Sequence, residues 1–203
     1  MFFSRQLFTL WSFKDEFNYV CLAFGIILLL PVIAVFILTS AGLNVVSDKL
    51  AILNSVTKVV EILNPSNGSI VTAIHGTRKW PMHGRVTLEF GESDLPYQPF
   101  HTGIDIANKM DTPITPFLDG TVMYAGEIFW GFGKHVIIDH GNHLHSIYAH
   151  LDKIYVYPGE KVHVEDVIGA EGKTGWSTGP HLHFQINVNS IPVNPRTFLG
   201  SGN

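Results

Sequence analysis

Residues 172–188 read Gly-Lys-Thr-Gly-Trp-Ser-Thr-Gly-Pro-His-Leu-His-Phe-Gln-Ile-Asn-Val. A stretch broken by Gly and Pro runs straight into an alternating one. Period-two alternation marks a strand, on which side chains i and i+2 share a face ~6–7 Å apart. His181 and His183 therefore face one way, and Leu182 and Phe184 face the other, into a core. That separation lets one imidazole bind an ion while the other stands beside it, facing the same reactants.

A second fragment is His101-Thr-Gly-Ile-Asp105. On a straight strand, positions four apart lie ~13 Å from each other, too far to share an ion. Gly103 permits a bend that brings them together. Two histidine nitrogens and one carboxylate oxygen leave the fourth position of a tetrahedral zinc site open, the arrangement of catalytic rather than structural zinc. Taken alone, these fragments read by default as two satisfied surface histidines near an unrelated aspartate.

Outward from these fragments the chain is rich in turns. Of 19 Gly and 11 Pro, only Gly25, Pro31 and Gly42 precede the break at Asn64-Pro65-Ser66-Asn67-Gly68. After it, Gly and Pro separate short β-branched or aromatic runs at Arg85–Phe90, Gly120–Tyr124, His135–Asp139, His145–Ala149 and His181–Val188. Such spacing predicts a mostly β domain built on an antiparallel sheet.

The ordered set His101-x-x-x-Asp105, Tyr148-Ala149-His150-Leu151 and Ser177-Thr-Gly-Pro-His-Leu-His-Phe184 resembles the lysostaphin/LytM-type zinc metallopeptidases, which are peptidoglycan endopeptidases. The resemblance runs from about Trp80 to Pro195. It takes in Trp80-Pro81, Phe90-Gly91, Thr112-Pro113-Ile114, Asp119-Gly-Thr-Val122 and Ala125-Gly126. It implies a small antiparallel β-sheet domain with a groove walled by loops and one Zn2+ per chain at the groove floor. Residue by residue, His101, Asp105 and His183 match the family's metal ligands, and His150 and His181 match its two catalytic histidines. Peptide stems or cross-bridges of peptidoglycan are the implied substrate. The same resemblance admits a non-catalytic wall-binding or amidase-activating module, or a lysin associated with phage or conjugation. Tyr97 is the nearest candidate for the tyrosine with which the family often assists the oxyanion. Gln185, where many members carry glutamate, receives no role.

The other histidines of the eleven carry no such signal. His140 is expected to hydrogen-bond locally in a turn. His135, His143, His145 and His163 are expected at exposed strand or loop positions, and His75 and His83 lie on the approach to the domain.

Tyr19–Leu38 is twenty residues without a charge, enough as a helix to span roughly 30 Å of hydrocarbon. The expected organisation is a tail over 1–18, a transmembrane anchor over 19–40, an amphipathic helix and linker over 41–75, and the metallopeptidase domain over 76–203. Mean hydropathy of +0.21 agrees with a membrane segment. Lys and Arg are balanced across that segment, so the extracytoplasmic side is assigned from the implied substrate. Leu43–Leu63 carries apolar residues near helical spacing and reads as an amphipathic helix. The single Cys21 excludes an internal disulfide. A net charge of −4 gives no basic footprint for nucleic acid.

Overall fold

The protein is represented by a computed structural model that describes residues 17–27, 29–30, 41–54, 57, 59–93 and 100–200. Two units emerge, Met1–Ala41 and Gly42–Asn203. In the first, residues 17–27 are helical with mostly exposed side chains. No helix among the described residues is long and apolar enough to cross a membrane. Residues 28 and 31–40 of the expected anchor lie outside the described residues.

The second unit is mostly β. Its principal sheet has eight strands, in the order β11 (Lys161–Val162), β7 (Gly120–Glu127), β8 (Lys134–Asp139), β9 (Leu144–Leu151), β13 (Leu182–Val188), β5 (Ile104–Ala107) and β4 (Arg85–Leu88), with β14 (Ile191–Val193) also on β13. Every pairing is antiparallel. A smaller sheet joins β10 (Lys153–Ile154), β12 (Gly169–Ala170) and β6 (Pro113–Ile114). A third joins β1 (Ala51–Leu53), β2 (Val60–Leu63) and β3 (Ile70–Ile74). A short helix, Arg196–Leu199, follows.

Strand β13 organises the core. Leu182, Phe184, Ile186 and Val188 are fully buried on one face. Beside them are Ile104 and Ile106 of β5 and Tyr148 of β9. Phe184 packs at 5.7 Å from Phe117 and 5.4 Å from Tyr148, measured between ring centroids. The Tyr148 hydroxyl accepts a hydrogen bond from Phe117 N–H at 2.9 Å and is hydrogen-bonded to the Ser146 hydroxyl at 3.0 Å. Tyr148, which shares a motif with His150, is thus a core residue, and burial drives its phenol pKa upward.

The stretch expected to form one amphipathic helix and a linker is instead built into this unit. Residues 41–50 are helical, with Leu50 buried and Leu43 and Val46 against the core. Beyond them the chain turns back as a hairpin. Asn54 closes the turn, its N–H donating to Val59 O and its Oδ1 accepting from Thr57 N–H. The pairing of β1 with β2 buries Ala51, Val60 and Ile62, whereas one helix over 43–63 has two apolar stripes to cover. β-branched residues fit the pleated surface better than the helix.

Because Phe184 sits at the centre of this packing, Phe184→Ala should lower the unfolding free energy by ~3–5 kcal/mol. Urea denaturation followed by circular dichroism, with the native spectrum retained, checks this.

Candidate metal centre

The face of β13 opposite the core carries the chemistry. His183 lies directly across from Asp105 on β5 and from Ala149 on β9. His101 arrives from the chain before β5, tied by two backbone bonds: Gly91 N–H donates to His101 O, and His101 N–H donates to Glu92 O, each at 2.9 Å. Gly103 makes the bend possible, through close approach rather than an unusual φ. A Cβ there would come within 2.3 Å of Phe184 O and 3.0 Å of the His183 ring.

The result is a triangle of ligand atoms. His101 Nε2 lies 2.9 Å from His183 Nδ1, His183 Nδ1 lies 2.9 Å from Asp105 Oδ1, and His101 Nε2 lies 3.0 Å from Asp105 Oδ1. Both histidines are buried and Asp105 is nearly so. Tetrahedral zinc with bonds of ~2.0–2.1 Å sets its ligand atoms ~3.3 Å apart, so the triangle has the size of a coordination face.

Tautomers carry the fit further. His101 Nδ1 lies 3.1 Å from Glu89 O, and a carbonyl only accepts, so that nitrogen holds the hydrogen and Nε2 presents a lone pair. His183 has an acceptor beside each nitrogen: Asp105 Oδ1 at 2.9 Å from Nδ1 and Gln185 Oε1 at 3.4 Å from Nε2. With the hydrogen on Nε2, the lone pairs of His101 Nε2 and His183 Nδ1 and a carboxylate oxygen point at one another, an arrangement that fits a cation. Burial raises the Asp105 pKa. Hydrogen bonds and charge from His101 and His183 in their protonated forms outweigh that and hold the carboxyl well below the usual carboxylate range.

Two further imidazoles flank the triangle. The His181 and His150 ring centroids are 4.7 Å apart, and His150 is 6.0 Å from His183. His181 Nδ1 donates to Gly179 O at 2.9 Å, and its Nε2 sits 3.5 Å from Asp105 Oδ2. His150 Nδ1 donates to Thr174 O at 2.8 Å. Each thus keeps a bare Nε2. His150 is also strained, with φ of 63° inside strand β9. The ladder between β8 and β9 shifts register opposite this point, and such a bulge re-aims a side chain. Burial first, then the neighbouring His183 and His181, lowers the His150 pKa to about 4.

The loops that support His150 interlock closely. Trp176 N–H donates to Gly131 O at 2.8 Å, and His150 N–H donates to Phe132 O at 2.9 Å. A Cβ at Gly133 or Gly175 would fall within 2.5 Å of the opposing backbone. Thr174 fastens the arrangement: its Oγ1 accepts from Lys134 N–H and donates to Leu151 O. Two surface cavities of about 560 Å³ lie elsewhere, one lined by Arg78, Trp80 and Phe198, the other by Asp139, His143 and His145. Among the described residues, His101, Asp105 and His183 are the cluster with metal-ligand geometry.

All five residues expected at the site are brought together, and Tyr97 lies outside the described residues. Sequence reasoning missed Glu89, whose carbonyl orients His101, and Gln185; neither has a motif of its own. His143 and His163 are exposed as expected, His75 and His83 are also exposed, and His145, expected exposed, is half-buried. His135 departs from expectation. It is buried, with Nδ1 donating to Gly133 O and its ring stacked 4.5 Å from Tyr124. The register shift between Lys134 and Val136 displaces it from the simple alternation. His140 is a structural bridge, its Nδ1 donating to Asp119 O at 2.8 Å and its Nε2 accepting from the Ser146 hydroxyl at 2.7 Å. Burial lowers its pKa to about 4.

The family model described as "Peptidase family M23" matches residues 99–195. The DD-carboxypeptidase/endopeptidase Mpg of Neisseria meningitidis is 43% identical over 95 residues, covering 47% of this chain and 22% of that protein. The murein hydrolase activator NlpD of Escherichia coli is 37% identical over 123 residues, covering 61% of this chain and 31% of that protein. This chain therefore spans about a fifth to a third of the length of these curated relatives. The catalytic domain of the antimicrobial peptidase lysostaphin from Staphylococcus simulans is 31% identical, with a TM-score of 0.54 over 58% of this chain and 93% of that one.

The low pKa values of His140 and His150 make folding pH-dependent with a definite sign. The unfolded chain takes up these protons near pH 6.5, and the folded chain only near pH 4. Their stabilising effect is complete above about pH 6.5 and declines as pH falls toward about 4. Urea midpoints of the metal-free protein should fall over that window, and His140→Gln should show a shallower fall.

Proposed function

The chain belongs to peptidase family M23, and from that premise we propose that it is a zinc-dependent endopeptidase hydrolysing peptide cross-links of bacterial peptidoglycan. The observation that carries the reading is the convergence of His101 Nε2, Asp105 Oδ1 and His183 Nδ1 within 3.0 Å of one another, beside two further imidazoles with bare Nε2 atoms.

In this reading, His101, Asp105 and His183 hold the ion. Zinc, when bound, supplies Lewis acidity and lowers the pKa of water. The chain's own groups manage the protons. His150, neutral at pH 7, offers Nε2 to the proton of the attacking water, and Thr174 O keeps the ring in that tautomer. His181, held by Gly179 O in the same tautomer, steadies the developing oxyanion once protonated or returns a proton to the leaving amine. Backbone carbonyls orient both bases, so side-chain substitutions elsewhere leave their tautomers in place.

A second reading is a wall-bound activator without turnover, favoured by the 37% identity to the murein hydrolase activator NlpD. The presence of all five site residues favours the enzyme. Tyr19–Leu38 would tether the domain to the cell membrane on its extracytoplasmic side, which fractionation of membranes with and without residues 19–40 tests.

The full chain should contain about one zinc per molecule by elemental analysis and release peptides from purified peptidoglycan. Asp105→Ala should abolish both. Zinc without cleavage of any wall type supports the activator, and a folded chain without zinc overturns the metallopeptidase reading. His150→Ala and His181→Ala should each keep zinc and lose cleavage by ~10²–10⁴-fold. Wild-type turnover in either variant removes that residue from the mechanism.

A further inference from the structure

We propose that Gln185 is a positioning residue for the metal centre, fixing His183 in the tautomer that leaves Nδ1 bare. The proposal rests on the zinc reading above and adds a residue to it.

Gln185 follows His183 by two positions on β13, on the same face, and is buried. A buried primary amide is costly unless its polar atoms are matched. Here they are matched in a way that sets direction. Its Nε2 donates to Asn187 Oδ1 at 2.8 Å, and its Oε1 accepts from the Thr102 hydroxyl at 2.6 Å. The amide is anchored at both ends, with its oxygen end toward His183 Nε2 at 3.4 Å.

That direction matters because a neutral imidazole carries one hydrogen. An acceptor beside Nε2 stabilises the hydrogen there, and so favours the form with a bare Nδ1 over the competing form in which Nδ1–H donates to Asp105 Oδ1 at 2.9 Å. The reversed amide would present N–H to Nε2, move the hydrogen to Nδ1 and block the third ligand position. The 3.4 Å separation is long for a hydrogen bond, so the amide steers the ring rather than locking it. Phe132, stacked 5.6 Å from His183 at 28°, limits the ring from another side.

Thr102 extends the device. It is the residue after His101, so its bond to Gln185 joins the segment carrying one ligand to the strand carrying another. Outer contacts of this kind set ligand basicity and orientation in metal sites, and their loss typically weakens metal affinity ~10–100-fold.

The test uses the full chain, with zinc affinity measured by competition against a chromophoric chelator. Gln185→Met keeps the side-chain size and removes the hydrogen bonds. Gln185→Glu keeps an acceptor toward His183, with Asn187 turning its own amide to donate. Gln185→Met should weaken zinc ~10–100-fold, and Gln185→Glu should match or tighten the wild-type affinity. Thermal melts in excess chelator report whether each variant folds. A folded Gln185→Met that holds zinc like the wild type overturns the proposal, as does a Gln185→Glu as weak as Gln185→Met. If Gln185→Met does not fold, Thr102→Val decides: weakened zinc supports the relay and unchanged zinc overturns it. A wild-type chain that takes up no zinc overturns the parent reading and this one together.

Discussion

The pairing of β13 with β5 on one side and β9 on the other is the constraint on which the rest of the structure depends. It sets His183 across from Asp105 while placing Phe184 across from Ile104 and Tyr148. One register thus fills the core and assembles two of the three ligand positions. Side chains alternate strictly along a strand, so a slip by one residue would send Phe184 to the polar face and His183 into the core. The apolar burial that stabilises the sheet is therefore the same interaction that protects the geometry of the metal centre.

Around that register, the centre is organised by oxygen atoms that can only accept hydrogen bonds. Carbonyls of Glu89, Gly179 and Thr174 each take the Nδ1 hydrogen of His101, His181 and His150. His183 alone presents Nδ1 inward, and its outward Nε2 meets a side chain, Gln185. Carbonyl acceptors come with the backbone and tolerate substitution. The side-chain acceptor must be supplied by a residue that carries an acceptor oxygen, here held by Thr102 and Asn187. The left-handed conformation of His150 costs ~1–3 kcal/mol and persists because Thr174, Phe132 and the two glycine-lined loops over-determine it.

The segment ahead of the sheet shows how local pattern can mislead. Leu43–Leu63 has helical spacing, but among the described residues only those up to Leu50 are helical, and Ala51–Leu53 pairs with Val60–Leu63 as β1 and β2. Both readings bury Leu43, Val46 and Leu50. What separates them is the capacity of Asn54 to close a turn and of Val60 and Ile62 to reach the core, which depends on surfaces far along the chain. His135 departs from its expected exposure for a related reason: the register shift between Lys134 and Val136 in the β8–β9 pairing displaces it from the alternation its neighbours imply.

By itself, the sequence determined the family resemblance and the set of candidate site residues. His101, Asp105, His150, His181 and His183 were legible because donor types and alternation are local properties of a strand and its flanking turns, and the ordered motifs pointed to one family. Tertiary structure alone decided the rest. Whether His101 and His183, 82 residues apart, meet at 2.9 Å depends on strand register and on Gly103 lying against the β13 backbone. Which nitrogen of each ring is bare depends on acceptors contributed from other segments, as with Glu89 for His101 and Thr174 for His150. Local sequence sets what a side chain can do, but a tautomer is set by what stands opposite it, and folding chooses that neighbour.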